Sequence, residues 1–259
     1  MAFIDPDIAA GIRSWRLWTT WAWIDTRQRY RRSVLGPFWI TLSLGAWIVG
    51  LGVVFSILFG MKLENFLPYV CAGMILWRLI FNMVNGGCEV FIGNEQIIKQ
   101  INLPLSYYVF RLIAKQFIFF FHHIIIFVLI AAIFGVVPGP ALVLAVPGLA
   151  FLFLNGVWIA LLLGMICARF RDVPQIVETV LQVTFFVTPV FWMPAQLGSK
   201  GAIAQVNPVY HFIEIVRQPL LGQPPTELNW IVVLVTTIVG AGVTTILFRR
   251  FARRVAYWL

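Results

Sequence analysis

Few side chains in this 259-residue sequence could do covalent chemistry, and those few do not cluster. The chain has 10 acidic residues and three histidines. It contains no G-x-x-x-x-G-K-[ST] phosphate loop, no H-E-x-x-H and no G-x-S-x-G. The loops lack paired acids of the kind used in glycosyl transfer, and Cys71, Cys88 and Cys167 have no metal-ligand spacing. Intrinsic catalysis is therefore not expected, so energy must come from a gradient or from a partner. The ionisable groups of interest are those inside apolar runs, Arg78, His122 and His123. A lipid-facing arginine at mid-span costs ~2.5–3.5 kcal/mol on insertion scales, so Arg78 should face protein or water. Glu89, three turns on, is too distant along one helix to be its direct partner. Two adjacent histidines could relay protons, but with no carboxylate in their own span, neighbouring helices are expected to satisfy them.

A second set of residues is suited to weak binding. Leu181, Phe185, Thr188 and Trp192 recur at i, i+4, i+7 and i+11, with Gln182, Phe186 and Pro189 alongside. Trp39, Ser43, Ala46 and Gly50 make a similar stripe, with Trp47 beside it. Aromatic faces stack on flat apolar surfaces, sugar rings among them, and hydroxyls supply polar partners. Small residues permit close helix approach, so helix packing is the competing reading.

The elements that must position these residues are membrane helices. Hydrophobic residues make up 61% of the chain and charged residues 11%, too few for the polar surface of a soluble domain. The apolar blocks are continuous, unlike the ~10-residue alternating segments of a barrel. The net charge of +9 does not indicate nucleic-acid binding, because the basic residues flank apolar blocks. The amino terminus does not resemble a cleavable signal: it carries Asp5 and Asp7 and reaches its first long apolar run only after Arg31 and Arg32. Six spans are predicted, at about 37–60, 66–91, 107–134, 141–168, 175–193 and 230–248, each near the roughly 20 residues needed to cross. With the amino terminus inside, Arg13, Arg16, Arg27, Arg29, Arg31, Arg32, Lys99, Arg111, Lys115, Arg169, Arg171, Arg249, Arg250, Arg253 and Arg254 are cytoplasmic, 15 of the 19 basic residues. Lys62, Lys200 and Arg217 fall outside, and both termini are predicted cytoplasmic. Residues 1–36 read as a cytoplasmic interfacial segment, residues 37–259 as one membrane domain, and 194–229 as its extracytoplasmic portion.

Four extramembrane segments have their own patterns. Residues 7–30 interleave Ile8, Ile12, Trp15, Trp18 and Trp23 with arginines, as suits a helix lying in the interface. In GNEQIIKQINLPL at 93–105, Asn94-Glu95-Gln96 starts like a capped helix and Pro104 stops it. Its Ile97, Ile98 and Ile101 form an apolar face suited to docking a soluble partner. In ARFRDVPQIVETVLQ at 168–182, Asp172 and Gln175 read as a capping box with Pro174 in the first turn. The neighbouring charges can form a local ion-paired turn. From Asn207-Pro208 a helix is predicted with Val209, Phe212, Ile213, Val216 and Leu220 on its apolar face. His211, Glu214, Arg217 and Gln218 make its polar face, and a re-entrant or surface helix at the mouth of a pathway is expected.

Four segments in the same order resemble the permease subunits of type-2 ABC exporters of lipid-linked polysaccharides (O-antigen, capsule, teichoic acid). They are RYRRSVLGPFWIT at 29–41, NEQIIKQINLPLSYYVFRL at 94–112, RFRDVPQIVETVLQVTFFVTPVFW at 169–192 and NPVYHFIEIVRQPLLG at 207–222. The resemblance implies an all-α, six-span fold of the type-2 ABC exporter kind in the bacterial inner membrane. It also implies a homodimer working with two copies of a separate cytoplasmic ATPase. This chain would bind no cofactor, and ATP and magnesium would sit on the partner. The helix at Asn94–Asn102 would couple to that ATPase through Asn94, Glu95, Gln96, Ile98 and Lys99. Trp39, Ser43, Trp47, Phe185, Phe186, Thr188 and Trp192 would line the channel. Arg27, Arg29, Arg31 and Arg32 would receive the lipid pyrophosphate, which an arginine cluster suits. Tyr210, His211, Glu214 and Arg217 would belong to the outer gate. The amino-terminal arginine motif favours O-antigen-like export, with capsule next. The chain ends at Leu259 and is expected to carry no added glycan-recognition domain. A type-2 permease for a drug or lipid, and a secondary transporter, are the alternatives.

Overall fold

A computed structural model describes residues 5–29 and 38–259, which form helices and turns with no strand among them. Two short helices come first, α1 (Pro6–Arg13) and α2 (Trp15–Arg29). The long helices α3 (Phe38–Leu58) and α4 (Leu63–Glu89) follow, then the six-residue α5 (Glu95–Gln100) and α6 (Leu105–Phe134). The second half contains α7 (Ala145–Arg169), α8 (Val173–Val187), α9 (Pro208–Leu220) and α10 (Glu227–Trp258). Short 3-10 segments precede α5 and α7, and another covers Pro194–Val206 with a break at Gly198.

Among the described residues five segments are long and apolar enough to cross a membrane: α3, α4, α6, α10 and Pro140–Arg169, which contains α7. The fifth predicted span does not reach that length. α8 stops at Val187 after 15 residues, ~22 Å at 1.5 Å per residue, against ~30 Å of hydrocarbon. Pro189 is the cause. A residue preceding proline is driven out of the α region, and Thr188 accordingly has φ −85° and ψ 133°. The last predicted span errs the other way. α10 continues past 248 as one helix and carries Arg249, Arg250, Arg253 and Arg254.

The core is built around α4, which packs against α3, α6, α7, α8 and α9. Gly87 allows the tight α4–α7 crossing: a Cβ there would lie 2.8 Å from Ala160 Cα. Polar side chains join α7 to α10, where Asn155 Nδ2 donates to Thr237 Oγ1 at 2.7 Å and Trp158 Nε1 donates to Asn155 Oδ1 at 2.8 Å.

The segments predicted to be cytoplasmic gather at one end of the bundle. Asp5 lies 3.9 Å from Arg249, Arg171 lies 4.0 Å from Glu95, and Arg171 also donates to the Leu259 carbonyl. The connections predicted outside gather at the other end, where Tyr69 bonds the chain after α8 and Gly139 approaches Gly222.

Candidate functional site

At the end of the bundle carrying both termini, α5 projects as a separate short helix. Ile98 packs inward, whereas Ile97 and Ile101 are exposed, Ile101 at 53%. Lys99 Nζ donates to Glu95 Oε1 at 2.7 Å. That bond, followed by the nearby charges of Lys99 and Arg171, holds the Glu95 carboxyl below its ordinary value. Asn94 occupies the N-cap position of α5, but its side chain turns back and donates to the Val90 carbonyl at 2.8 Å. Asp172 likewise precedes α8 without a side-chain cap bond, so the predicted capping box there is not formed.

The amino-terminal helices are fastened to α6. Pro104 leads into α6 and offers no capping side chain of its own. Asp7 supplies the cap from α1: its carboxylate accepts from Leu105 N at 2.8 Å and Ser106 N at 2.9 Å. One turn further on, Arg111 donates to both oxygens of Asp25 at 2.7 and 2.6 Å, which ties down α2. A bidentate arginine–carboxylate pair sets orientation as well as adding energy. Arg27 is exposed on α2. Arg31 and Arg32 lie outside the described residues, as does the Arg29 side chain.

The predicted stripes separate into exposed and buried parts. On α3, Trp39, Ser43 and Trp47 are exposed, and Trp47, at 66%, borders a shallow groove over Ala46, Gly50, Leu51 and Val54. On α8 the stripe beginning at Leu181 turns inward: Leu181 is buried, and Phe185 packs on Trp77 and Phe191. Thr188 is buried, donating to the Thr184 carbonyl and accepting from Asn207 Nδ2 at 2.8 Å. Trp192 lies beyond the helix end and donates back to the Phe186 carbonyl at 3.1 Å. The open face is the adjacent one, with Ile176, Val180, Val183, Phe186 and Val187 exposed.

At the opposite end, α9 is buried on both its faces, so the predicted water-facing polar side is not present. Arg217 is fully buried, pairs with Glu214, stacks on Tyr69 at 3.9 Å and donates to the Pro189 carbonyl at 2.6 Å. Tyr69 donates in turn to the carbonyls of Pro189 and Trp192. His211 sits between Asn229 and the Gln205 carbonyl, and Tyr210, half-buried, meets its ring edge-on. A lone charge could not be held here; Glu214 and the Pro189 carbonyl pair it, while Arg217 Nε is buried without a partner. Gly73 makes room, since a Cβ there would lie 2.9 Å from the Val190 carbonyl oxygen and 3.1 Å from Arg217 Nη1.

Residues 16–221 match the ABC-2 type transporter family. The chain belongs to that family. It is 22% identical over 236 residues to an O-antigen export system permease protein RfbA of Klebsiella pneumoniae, covering 88% of this chain and 90% of that relative. An O-antigen export system permease protein RfbA of Myxococcus xanthus is 21% identical over 178 residues, 69% of this chain and 68% of that protein. An ABC-2 membrane subunit is a multi-pass part of a transporter rather than an enzyme, consistent with the apolar helices and the scattered acids.

Within this ABC-2 subunit, sequence reasoning missed Asp7, Asp25 and Tyr69. The uncapped Pro104-Leu105-Ser106 start of α6 was a signal that a carboxylate must come from elsewhere. His122 is satisfied by its own helix, with Nδ1 2.7 Å from the Ile118 carbonyl, whereas His123 Nε2 is buried without a partner. Arg78 is exposed to a polar cleft rather than packed in the core.

Proposed function

We propose that two copies of this chain form the membrane channel of an ATP-driven exporter that moves lipid-linked polysaccharide, O-antigen-like first and capsule next, out across the bacterial inner membrane. The observation that carries the reading is the likeness to O-antigen export permeases along about nine-tenths of both chains. In this reading both termini and α5 face the cytoplasm. The nucleotide and its magnesium belong to a separate ATPase, a partner that family membership implies. The exposed Ile97 of α5 and Ile101 just after it give that partner an apolar foothold, with Asn94, Glu95, Gln96 and Lys99 around it.

Closure of the ATPase pushes on α5. The push reaches α6 through the short link at 101–104. It carries α1 and α2 along, because Asp7 and Asp25 clamp them to α6. The lipid pyrophosphate is received near Arg27, Arg29, Arg31 and Arg32. The glycan then slides between the copies past Trp39, Ser43 and Trp47 of α3 and Phe186 of α8, while Phe185, Thr188 and Trp192 shape the wall behind. Many weak aromatic contacts, none tight, suit conduction of a long polymer. The Arg217–Glu214–Tyr69 cluster with Tyr210 and His211 holds the outer gate. Purification of the detergent-solubilised chain tests this: a soluble ATPase in equal amount with bound glycan is expected. Transport by the chain alone, or unchanged surface polysaccharide after deletion of its gene, would refute the reading.

A further inference from the structure

A cavity of about 520 Å³ opens between α4 and α6 at the end of the bundle that carries α5, bordered also by Asp25 of α2. Its α4 wall is one polar stripe, Arg78, Asn82, Asn85 and Glu89, spaced i, i+4, i+7 and i+11. Its α6 wall presents Tyr108, Arg111, Lys115, Gln116 and His123. From Glu89 to Arg78 the stripe descends 11 residues, ~16 Å of helix, into the apolar layer.

The charge in this cleft is unbalanced toward cations. Arg111 and Asp25 neutralise each other in their bidentate pair. Glu89 is the one other carboxylate among the lining residues, against the cations Arg78 and Lys115. Among the described residues no carboxylate lies within ion-pairing distance of Arg78. A guanidinium without a countercharge is costly where water is scarce, and a group that accepts from several donors at once removes the cost. Arg78 and Lys115 supply charged donors, and the amides of Asn82, Asn85 and Gln116 supply neutral ones. A phosphate-type anion fits that set, because its oxygens accept from guanidinium, ammonium and amide groups together.

We infer that the cleft between α4 and α6 binds a phosphate-type anion at the cytoplasmic leaflet. The inference deepens the export reading, on which the choice of that leaflet and the preference for a lipid-borne phosphate rest. Of the arginines in residues 27–32, Arg27 is the one whose side chain is described, and it does not line the cleft. The cleft lies between the two helices joined through α5, so occupancy is sensed where the ATPase pushes.

The test uses the full chain in phosphatidylcholine nanodiscs, with phosphatidic acid as the lipid probe and inorganic pyrophosphate as the soluble probe. Saturable binding of phosphatidic acid, displaced by pyrophosphate, is expected to weaken about tenfold or more in Arg78→Gln, the loss of a charge-assisted hydrogen bond. Arg78→Lys should retain most of the affinity. Pyrophosphate binding alone, with the same sensitivity, supports the anion site and assigns a soluble ligand. Equal affinity in wild type and Arg78→Gln, or no binding of either probe, overturns the site. If Arg78→Gln fails to fold, Lys115→Gln and Asn82→Ala are held to the same criterion. Co-purification of the ATPase, scored on the same preparations, keeps the two readings apart. Its retention when phosphate binding fails rejects the cleft alone, and its absence from wild type rejects the export reading.

Discussion

Arg217 is a guanidinium with no exposed surface, and its neighbours explain how the fold tolerates that. Glu214 supplies the countercharge, Tyr69 an aromatic face and Pro189 a carbonyl. Removing one partner of a buried pair strands the other, so Arg217→Met is expected to cost about 3–5 kcal/mol. Glu214→Gln combined with Arg217→Met should cost less, because no charge is left unpaired. Thermal unfolding in detergent measures both, and equal losses would mean that charge is not the determinant. Glu95 is the contrasting case, an exposed carboxylate held below its ordinary value chiefly by the hydrogen bond from Lys99. A depressed carboxylate contributes its pairing above its ordinary value and loses it as pH falls through the lowered one. ATPase binding to α5 should therefore stay constant from neutral pH down through the ordinary glutamate range and decline only below it. A pull-down pH series checks this, and a decline beginning near neutrality would point to another group.

At the scale of elements, the amino-terminal helices act as a brace rather than a free interfacial flap. Asp7 caps α6 from a distance of almost a hundred residues in the chain. Its loss in Asp7→Ala should cost about 1–2 kcal/mol and expose α1 to protease. An unchanged digestion pattern would argue that Asp25–Arg111 is sufficient by itself. α8 shows why periodicity alone does not tell a lining residue from a packed one. The stripe through Leu181, Phe185 and Thr188 is regular, but a regular stripe identifies a face without saying what lies opposite it. Trp77 and Phe191 lie opposite Phe185, and Asn207 lies opposite Thr188. Phe186→Ala is therefore expected to lower surface polysaccharide while leaving the unfolding temperature unchanged. Phe185→Ala should lower that temperature, and the reverse pattern would exchange their roles.

At the scale of the whole molecule, α3 is among the uncovered surfaces, with Leu42, Trp47, Val54, Ile57 and Leu58 all exposed. A bilayer can cover these residues, but the groove at Ala46, Gly50 and Leu51 also offers small residues to another helix. Gly50 has no atom near the position of an added Cβ, so Gly50→Cys should fold normally. The native Cys71, Cys88 and Cys167 are buried and should give no background. Oxidation in membranes should cross-link two copies through position 50. A chain that remains monomeric would place the dimer contact elsewhere.

Composition and hydrophobic run length determined that this chain is a bundle of membrane helices, because the bilayer forces every backbone group into helical pairing and sets the required length. Basic flanks grouped the segments that the fold brings to one end. Of the three isoleucines expected on the docking face of the 94–102 segment, Ile97 and Ile101 are exposed while Ile98 packs inward. Tertiary structure alone decided which face of α8 is open, that the polar side of α9 is buried, and that Asp7 and Asp25 brace α6. The reason is physical: side-chain spacing along a helix fixes which residues share a face, whereas burial depends on elements far away in sequence. Arg78 illustrates both parts. Its position within an apolar run predicted an aqueous or protein environment, but only the packing of α4 against α6 revealed the polar cleft that supplies it.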